Sequence, residues 1–97
     1  MGSLLGGITG YKRKSRFVKQ YDGLDPKIKK AVDKMLVDVC KSPLPRGYNP
    51  EELAGRKGIY SIRVNRQYRA TFEYDHDDAS IIVFRNIASH DQLYSKP

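Results

Sequence analysis

Four side chains in this sequence are suited to working on a phosphodiester: Arg63, Arg69, His90 and Tyr94. An arginine presents a planar fork that can bind two phosphate oxygens at once. Histidine titrates near neutrality and can give or take a proton. A tyrosine can stack on a nucleobase or donate a proton. On a short final helix His90 and Tyr94 stand at i and i+4 and share a face. A frayed C-terminus carrying an exposed histidine is the plainer reading of that pair.

Strand register is what must bring the two arginines together. Tyr60, Ile62 and Val64 alternate with Ser61, Arg63 and Asn65, and Tyr68, Ala70, Phe72 and Tyr74 alternate with Arg69, Thr71 and Glu73. If Asn65–Gln67 is a three-residue loop centred on Arg66, then Val64 faces Tyr68, Ile62 faces Ala70 and Tyr60 faces Phe72. The other side then pairs Arg63 with Arg69, Ser61 with Thr71 and Ile59 with Glu73. A two-residue loop would set Arg63 against Tyr68 and mix the faces, so the hydrophobic pattern selects the longer loop. Like charges facing each other across a ladder cost a few tenths to ~1 kcal/mol. A phosphate between them would offset that cost. The alternative is that both arginines splay into water.

The remaining elements follow from periodicity. Met1–Gly10 has four glycines and no period, and reads as a flexible tail or cloning remnant ahead of one domain over residues 11–97. Tyr11–Ser15 is the candidate for a short edge strand. Phe17, Tyr21 and Leu24 suggest a short amphipathic helix ending near Gly23. A longer helix starts with Asp25 as N-cap and Pro26 in the first turn. Its apolar stripe is Ile28, Ala31, Val32, Met35, Leu36, Val39 and Cys40, which puts the cysteine on the buried face. Lys27, Lys29, Lys30, Asp33, Lys34, Asp38 and Lys41 lie opposite. Pro43 and Pro45 end it. A Pro- and Gly-rich connection follows, then the hairpin, the turn Asp75–Ala79, and Ile81–Phe84, an apolar run of the kind a strand buried on both faces shows. The layout is α+β, with two N-terminal helices packed on one face of a small antiparallel β-sheet.

Composition narrows the partners. The 97 residues carry eighteen Lys and Arg against eleven Asp and Glu, a net charge of +7. The excess is confined to residues 1–46, with eleven against four, while residues 47–97 hold seven of each. That asymmetry favours nucleic acid or an acidic protein as partner, or is simply a solvated helix face. One cysteine excludes an internal disulfide, and two histidines are too few for a convincing metal site. No run approaches the length of a membrane span. The expectation is a reduced, cytoplasmic protein with no metal, no cofactor and no membrane association.

The stretches FVKQYDGLDPKIKKAVDKML, LAGRKGIYSIRVNRQYRATFEY and IIVFRNIASHDQLY together resemble the RelE/ParE superfamily of bacterial type II toxin–antitoxin toxins. The resemblance runs from Arg16 to Tyr94 and rests on L-x-G, G-x-Y-x-I-R-V, Y-R and H-x-x-x-Y in that order. It implies a β-α-α-β-β-β fold with a short C-terminal helix, and it makes Tyr11–Ser15 the N-terminal strand. The RelE-like branch cleaves mRNA in the ribosomal A site without metal, which implies an endoribonuclease. Arg63 and Arg69 then match basic catalytic positions, and His90 and Tyr94 the C-terminal catalytic positions, with the identity of the general base left open. The attacking group is the RNA's own 2′-hydroxyl. Lys27, Lys29, Lys30, Lys34, Arg66 and Arg85 would contact mRNA or the ribosome. A cognate antitoxin would hold the toxin inactive. The rival readings are a ParE-like inhibitor of DNA gyrase without catalysis, and an inactive basic protein that binds an antitoxin.

Overall fold

A computed structural model of the chain describes residues 4–89, 92–93 and 97. Among the described residues seven elements appear in the order β1 (Gly10–Arg13), α1 (Ser15–Asp22), α2 (Pro26–Asp38), β2 (Glu51–Glu52), β3 (Tyr60–Arg63), β4 (Tyr68–Tyr74) and β5 (Ile81–Ser89). They form two helices on a five-stranded sheet of order β1-β5-β4-β3-β2. The expected α+β layout is present. The sheet is mixed rather than wholly antiparallel, because β1 runs parallel to β5, with Gly10 opposite Ile81 and Arg13 opposite Phe84. A parallel neighbour needs a crossover; here α1, α2 and the strands that follow them return the chain to β1's edge.

Local chemistry explains where α2 begins. The Asp25 side chain accepts a hydrogen bond from the Lys27 N–H at 2.9 Å, and Pro26 occupies the first turn, where no backbone donor is needed. The helix buries Val32, Met35 and Leu36, followed by Val39 at its C-cap. These residues join Phe17 of α1 and Ile62, Ala70, Phe72, Ile82, Phe84 and Ile87 of the sheet in one core. Phe84 lies at its centre, with ring centroids 5.2 Å from Phe17 and 6.1 Å from Phe72. Ile82 and Phe84 are buried while Ile81 and Val83 are only half-buried, so the apolar run of β5 alternates after all. A bulge opposite Thr71 and Phe72 then shifts the phase at Arg85 and returns Ile87 to the core face.

Four further expectations are corrected. The segment up to Gly10 is not a loose tail where it is described: Leu5 and Ile8 are 1% and 4% exposed and belong to the core. The Leu5 N–H donates to the Tyr74 hydroxyl at 3.2 Å, and the Thr9 N–H to the Ser80 carbonyl at 2.8 Å. Cys40 is exposed, because α2 stops at Asp38 and the helical stripe no longer governs it. Asp38, expected on the solvated face, is buried and bonded by the Tyr48 hydroxyl at 2.6 Å. Ile59 lies outside β3, so the expected pair with Glu73 is not part of the ladder; on its other side Glu73 pairs with Val83 of β5. Among the described residues no helix is long and apolar enough to cross a membrane. The expected C-terminal helix falls mostly on residues outside the described set; of its span only Gln92 and Leu93 are described, and both are helical.

Candidate functional site

The hairpin forms in the register that the alternation requires. Tyr60 pairs with Phe72, Ser61 with Thr71, Ile62 with Ala70 and Arg63 with Arg69. Asn65 sets the loop: its side-chain oxygen accepts from the N–H groups of Gln67 and Tyr68 at 2.9 and 2.8 Å, an Asx turn that leaves Arg66 exposed at the tip. Arg63 and Arg69 therefore stand on the face away from the core.

That face is not a plain solvent surface. Ser61, Thr71 and Asn86 form one cross-strand row over β3, β4 and β5, and all three are buried. A row of buried polar side chains costs stability unless each finds a partner. The Ser61 hydroxyl oxygen accepts from Arg69 Nε at 3.1 Å. The Thr71 hydroxyl donates to the Pro97 carbonyl at 2.9 Å. Leu93 is fully buried and lies outside the main core, as does Leu53.

The two arginines relieve their mutual repulsion by leaning opposite ways along the strands. Arg69 leans from its own pair towards Ser61, and its Nη2 donates to the Asn49 carbonyl at 2.9 Å. Glu51 approaches that nitrogen at 3.9 Å, and the Arg69 side chain is 13% exposed. Arg63 leans towards the loop, where its Nε donates to the Asn65 carbonyl at 3.4 Å. The register is thus as expected, but the guanidinium groups do not share one set of partners. Arg69 is held at two points and is the oriented member of the pair; Arg63 also lines a cavity with Lys34 of α2.

The loop that meets Arg69 is itself anchored. Its Tyr48 carbonyl accepts from the Arg63 N–H at 2.8 Å, and its Tyr48 hydroxyl donates to Asp38. Lys41 and Lys34 flank that carboxylate at 2.9 and 3.3 Å. Tyr48's hydrogen bond, then those of the two lysines, hold the Asp38 carboxyl at about 2, against an ordinary 3.8. Burial, and then Asp38 itself, push the Tyr48 phenol well above its usual value. Asn49 follows with a φ of 44°, in the left-handed region that asparagine tolerates better than most residues.

No family model matches the sequence, and no curated protein matches it. Solved structures do. A RelB–RelE antitoxin–toxin complex from Methanococcus jannaschii matches at TM-score 0.65 and 22% identity, over 89% of this chain and 99% of that one. The RelBE2 toxin–antitoxin complex from Mycobacterium tuberculosis matches at 0.66 and 20%, over 86% and 99%. A YoeB/ParE toxin from Agrobacterium tumefaciens matches at 0.67 and 14%, over 84% and 98%. The chain has the RelE/ParE toxin fold.

Within this RelE/ParE fold the sequence-derived site residues are distributed unevenly. Arg63 and Arg69 are neighbours, while His90 and Tyr94 lie outside the described residues. Lys27, Lys30 and Lys34 are exposed on α2, in the helix layer, and Lys29 sits with its ammonium 5.6 Å from the centre of the Tyr21 ring. Arg85, expected to meet RNA, is engaged inside the protein. Its Nη1 pairs with Glu73, and its Nε donates to the Pro97 carbonyl at 3.3 Å. Sequence reasoning did not single out Ser61, Thr71 or Asn49. The first two were visible as hydroxyl residues facing each other beside the arginine pair; Asn49 serves through its backbone and leaves no trace in residue type.

Proposed function

We propose that this chain is the toxin of a type II toxin–antitoxin module and a metal-independent endoribonuclease acting on mRNA in the ribosomal A site. The observation that carries the reading is Arg69, a guanidinium fixed by Ser61 and Asn49 beside a buried polar row on the face of the sheet away from the core. Oriented cations of this kind stabilise charge that grows during a reaction, because they need not reorganise as it develops. The matched structures, antitoxin–toxin complexes among them, support the toxin and antitoxin parts of the proposal.

In the proposed reaction the nucleotide's 2′-hydroxyl attacks the adjacent phosphorus. The bond to the 5′-oxygen of the next nucleotide breaks, giving a 2′,3′-cyclic phosphate and a 5′-hydroxyl end. Arg69, with Arg63, meets the negative charge on the phosphorane oxygens. His90 and Tyr94 are assigned to the proton transfers and to stacking on the nucleotide. The exposed Lys27, Lys30 and Arg66 would contact ribosomal RNA, an attraction that weakens with salt. The protein would act in the cytoplasm, as one toxin domain, and an antitoxin segment would cover the basic surface.

Primer extension on a defined mRNA in a reconstituted translation reaction tests this. New 5′ ends that need ribosomes and disappear with Arg69→Ala support it. Intact mRNA with the unaltered protein overturns it and makes gyrase supercoiling the next assay.

A further inference from the structure

A second cluster of cations lies beside the arginine pair. Lys34 of α2, Arg46 of the following loop and Arg63 of β3 line one cavity of about 200 Å³, with Gly47, Tyr48 and Val64 completing much of the wall. Among the described residues no carboxylate lines it. Three separate elements supply the three charges, so the cluster is a product of the tertiary fold rather than one run of basic sequence.

Lys34 and Arg63 are each held by a neighbouring group. Lys34 is braced by Asp38 at 3.3 Å, and its ammonium lies 5.7 Å from the centre of the Tyr48 ring. Arg63 spends its Nε on the Asn65 carbonyl, and its terminal N–H groups meet no acceptor among the described residues. Arg46 has no ion pair among them either. Gly47 has a φ of 99°, a conformation that side-chain-bearing residues rarely adopt, so the chain turns sharply between Arg46 and Tyr48. Asp38 offsets the Lys34 charge, which leaves the Arg46 and Arg63 guanidinium groups as the charges that an anion in the concavity would meet.

We infer that this cavity is a phosphate subsite for single-stranded RNA, holding a phosphate next to the one that is cut. Arg63 joins the two regions: it is Arg69's cross-strand partner and also a wall of the cavity. The inference rests on the nuclease reading for its place along the RNA. Arg46 is the new residue it brings in, and the guanidinium fork suits a phosphate with two accessible oxygens.

The test is binding, not cleavage. A trinucleotide with 2′-O-methyl groups cannot supply the attacking hydroxyl, so it stays intact on the full chain. Its affinity is measured by amide chemical shifts, with Gly47 as the reporter in the cavity wall. Arg46→Gln should weaken binding about tenfold, the scale of one charge-assisted hydrogen bond. It should also flatten the plot of log K against log salt by ~0.7, the share of one neutralised phosphate on a single strand. Lys57→Gln removes the same charge away from the cavity and should leave the Gly47 shift and the affinity unchanged. Equal losses in the two variants, or a silent Gly47, would overturn the subsite. So would hexaglutamate shifting Gly47 where the trinucleotide does not, which would make it a docking point for an acidic peptide. Binding that behaves as expected without mRNA cleavage would leave the subsite standing and remove the nuclease. Cleavage with Arg46→Gln binding unchanged would do the reverse.

Discussion

Replacing Leu5 by alanine should destabilise the protein far more than its place in a glycine-rich N-terminal stretch suggests. Leu5 is 1% exposed and packs in the same core as Phe72, Phe84 and Val32. Its φ of 64° is costly for a residue with a Cβ, by about 1–2 kcal/mol. Burial of the side chain must outweigh that strain. The alanine variant keeps the strain and loses the burial, and buried Leu→Ala changes cost roughly 3–5 kcal/mol where the site cannot collapse. Gly6 and Gly7 follow directly and let the segment relax, so the lower end, about 3 kcal/mol, is expected. At roughly 4–8 °C per kcal/mol for a domain of this size, the thermal midpoint should fall by about 12–24 °C. Val37→Ala, at a residue 63% exposed, should change stability by less than about 0.5 kcal/mol and serves as the control. Calorimetry or thermal circular dichroism reads both. A midpoint for Leu5→Ala within a few degrees of the parent would refute the packing described for residues 4–10.

Other outcomes follow from the site and its supports. Asp38 has a folded-state pKa of about 2 against an ordinary 3.8, so the stability it supplies is complete above about pH 4 and is lost as the pH falls towards 2. Tyr48→Phe removes the largest cause of that shift and should make the acid loss of stability shallower; urea midpoints from pH 2.5 to 6 that decline in parallel would contradict this. Arg69→Lys cannot reach Ser61 and Asn49 with the same fork, and should lower mRNA cleavage by ~100-fold or more while the circular dichroism spectrum is retained. Cleavage within a factor of two of the parent would show that the two-point hold is not used. Gly47→Ala should cost about 1–2 kcal/mol because of its φ of 99°, whereas Gly23→Ala, at φ −88° with only ordinary contacts for the new methyl, should be close to neutral or stabilising. Equal midpoints for the two variants would count against the backbone argument.

The parts of the fold written into side-chain alternation or capping were legible before the structure. The β3–β4 register could be read because a slip of one residue would have put Arg63 against Tyr68 and moved the apolar set to the wrong face. The start of α2 could be read from Asp25 and Pro26. The N-terminal strap could not, because Leu5 and Ile8 are isolated apolar residues among glycines and only their tertiary partners bury them. Asp38 looked solvated because the helical period places it with the lysines. The helix ends there, and Tyr48 returns from the next loop to cover it. Two-residue β2 has no period to detect. At the site, the arginine pairing was legible but its outcome was not: which way each guanidinium leans depends on Ser61, Asn49 and Asn65, two of which act through backbone carbonyls.

The claim at the centre is that Arg69 on this face of the sheet serves cleavage of mRNA. Primer extension on a defined message in a reconstituted translation reaction tests it most directly, with the parent protein, Arg69→Ala, and a ribosome-free lane side by side. The account predicts discrete new 5′ ends with the parent protein on ribosomes and none with Arg69→Ala. Full-length message in the parent lane, or the same cleavage ends from the variant, would contradict it.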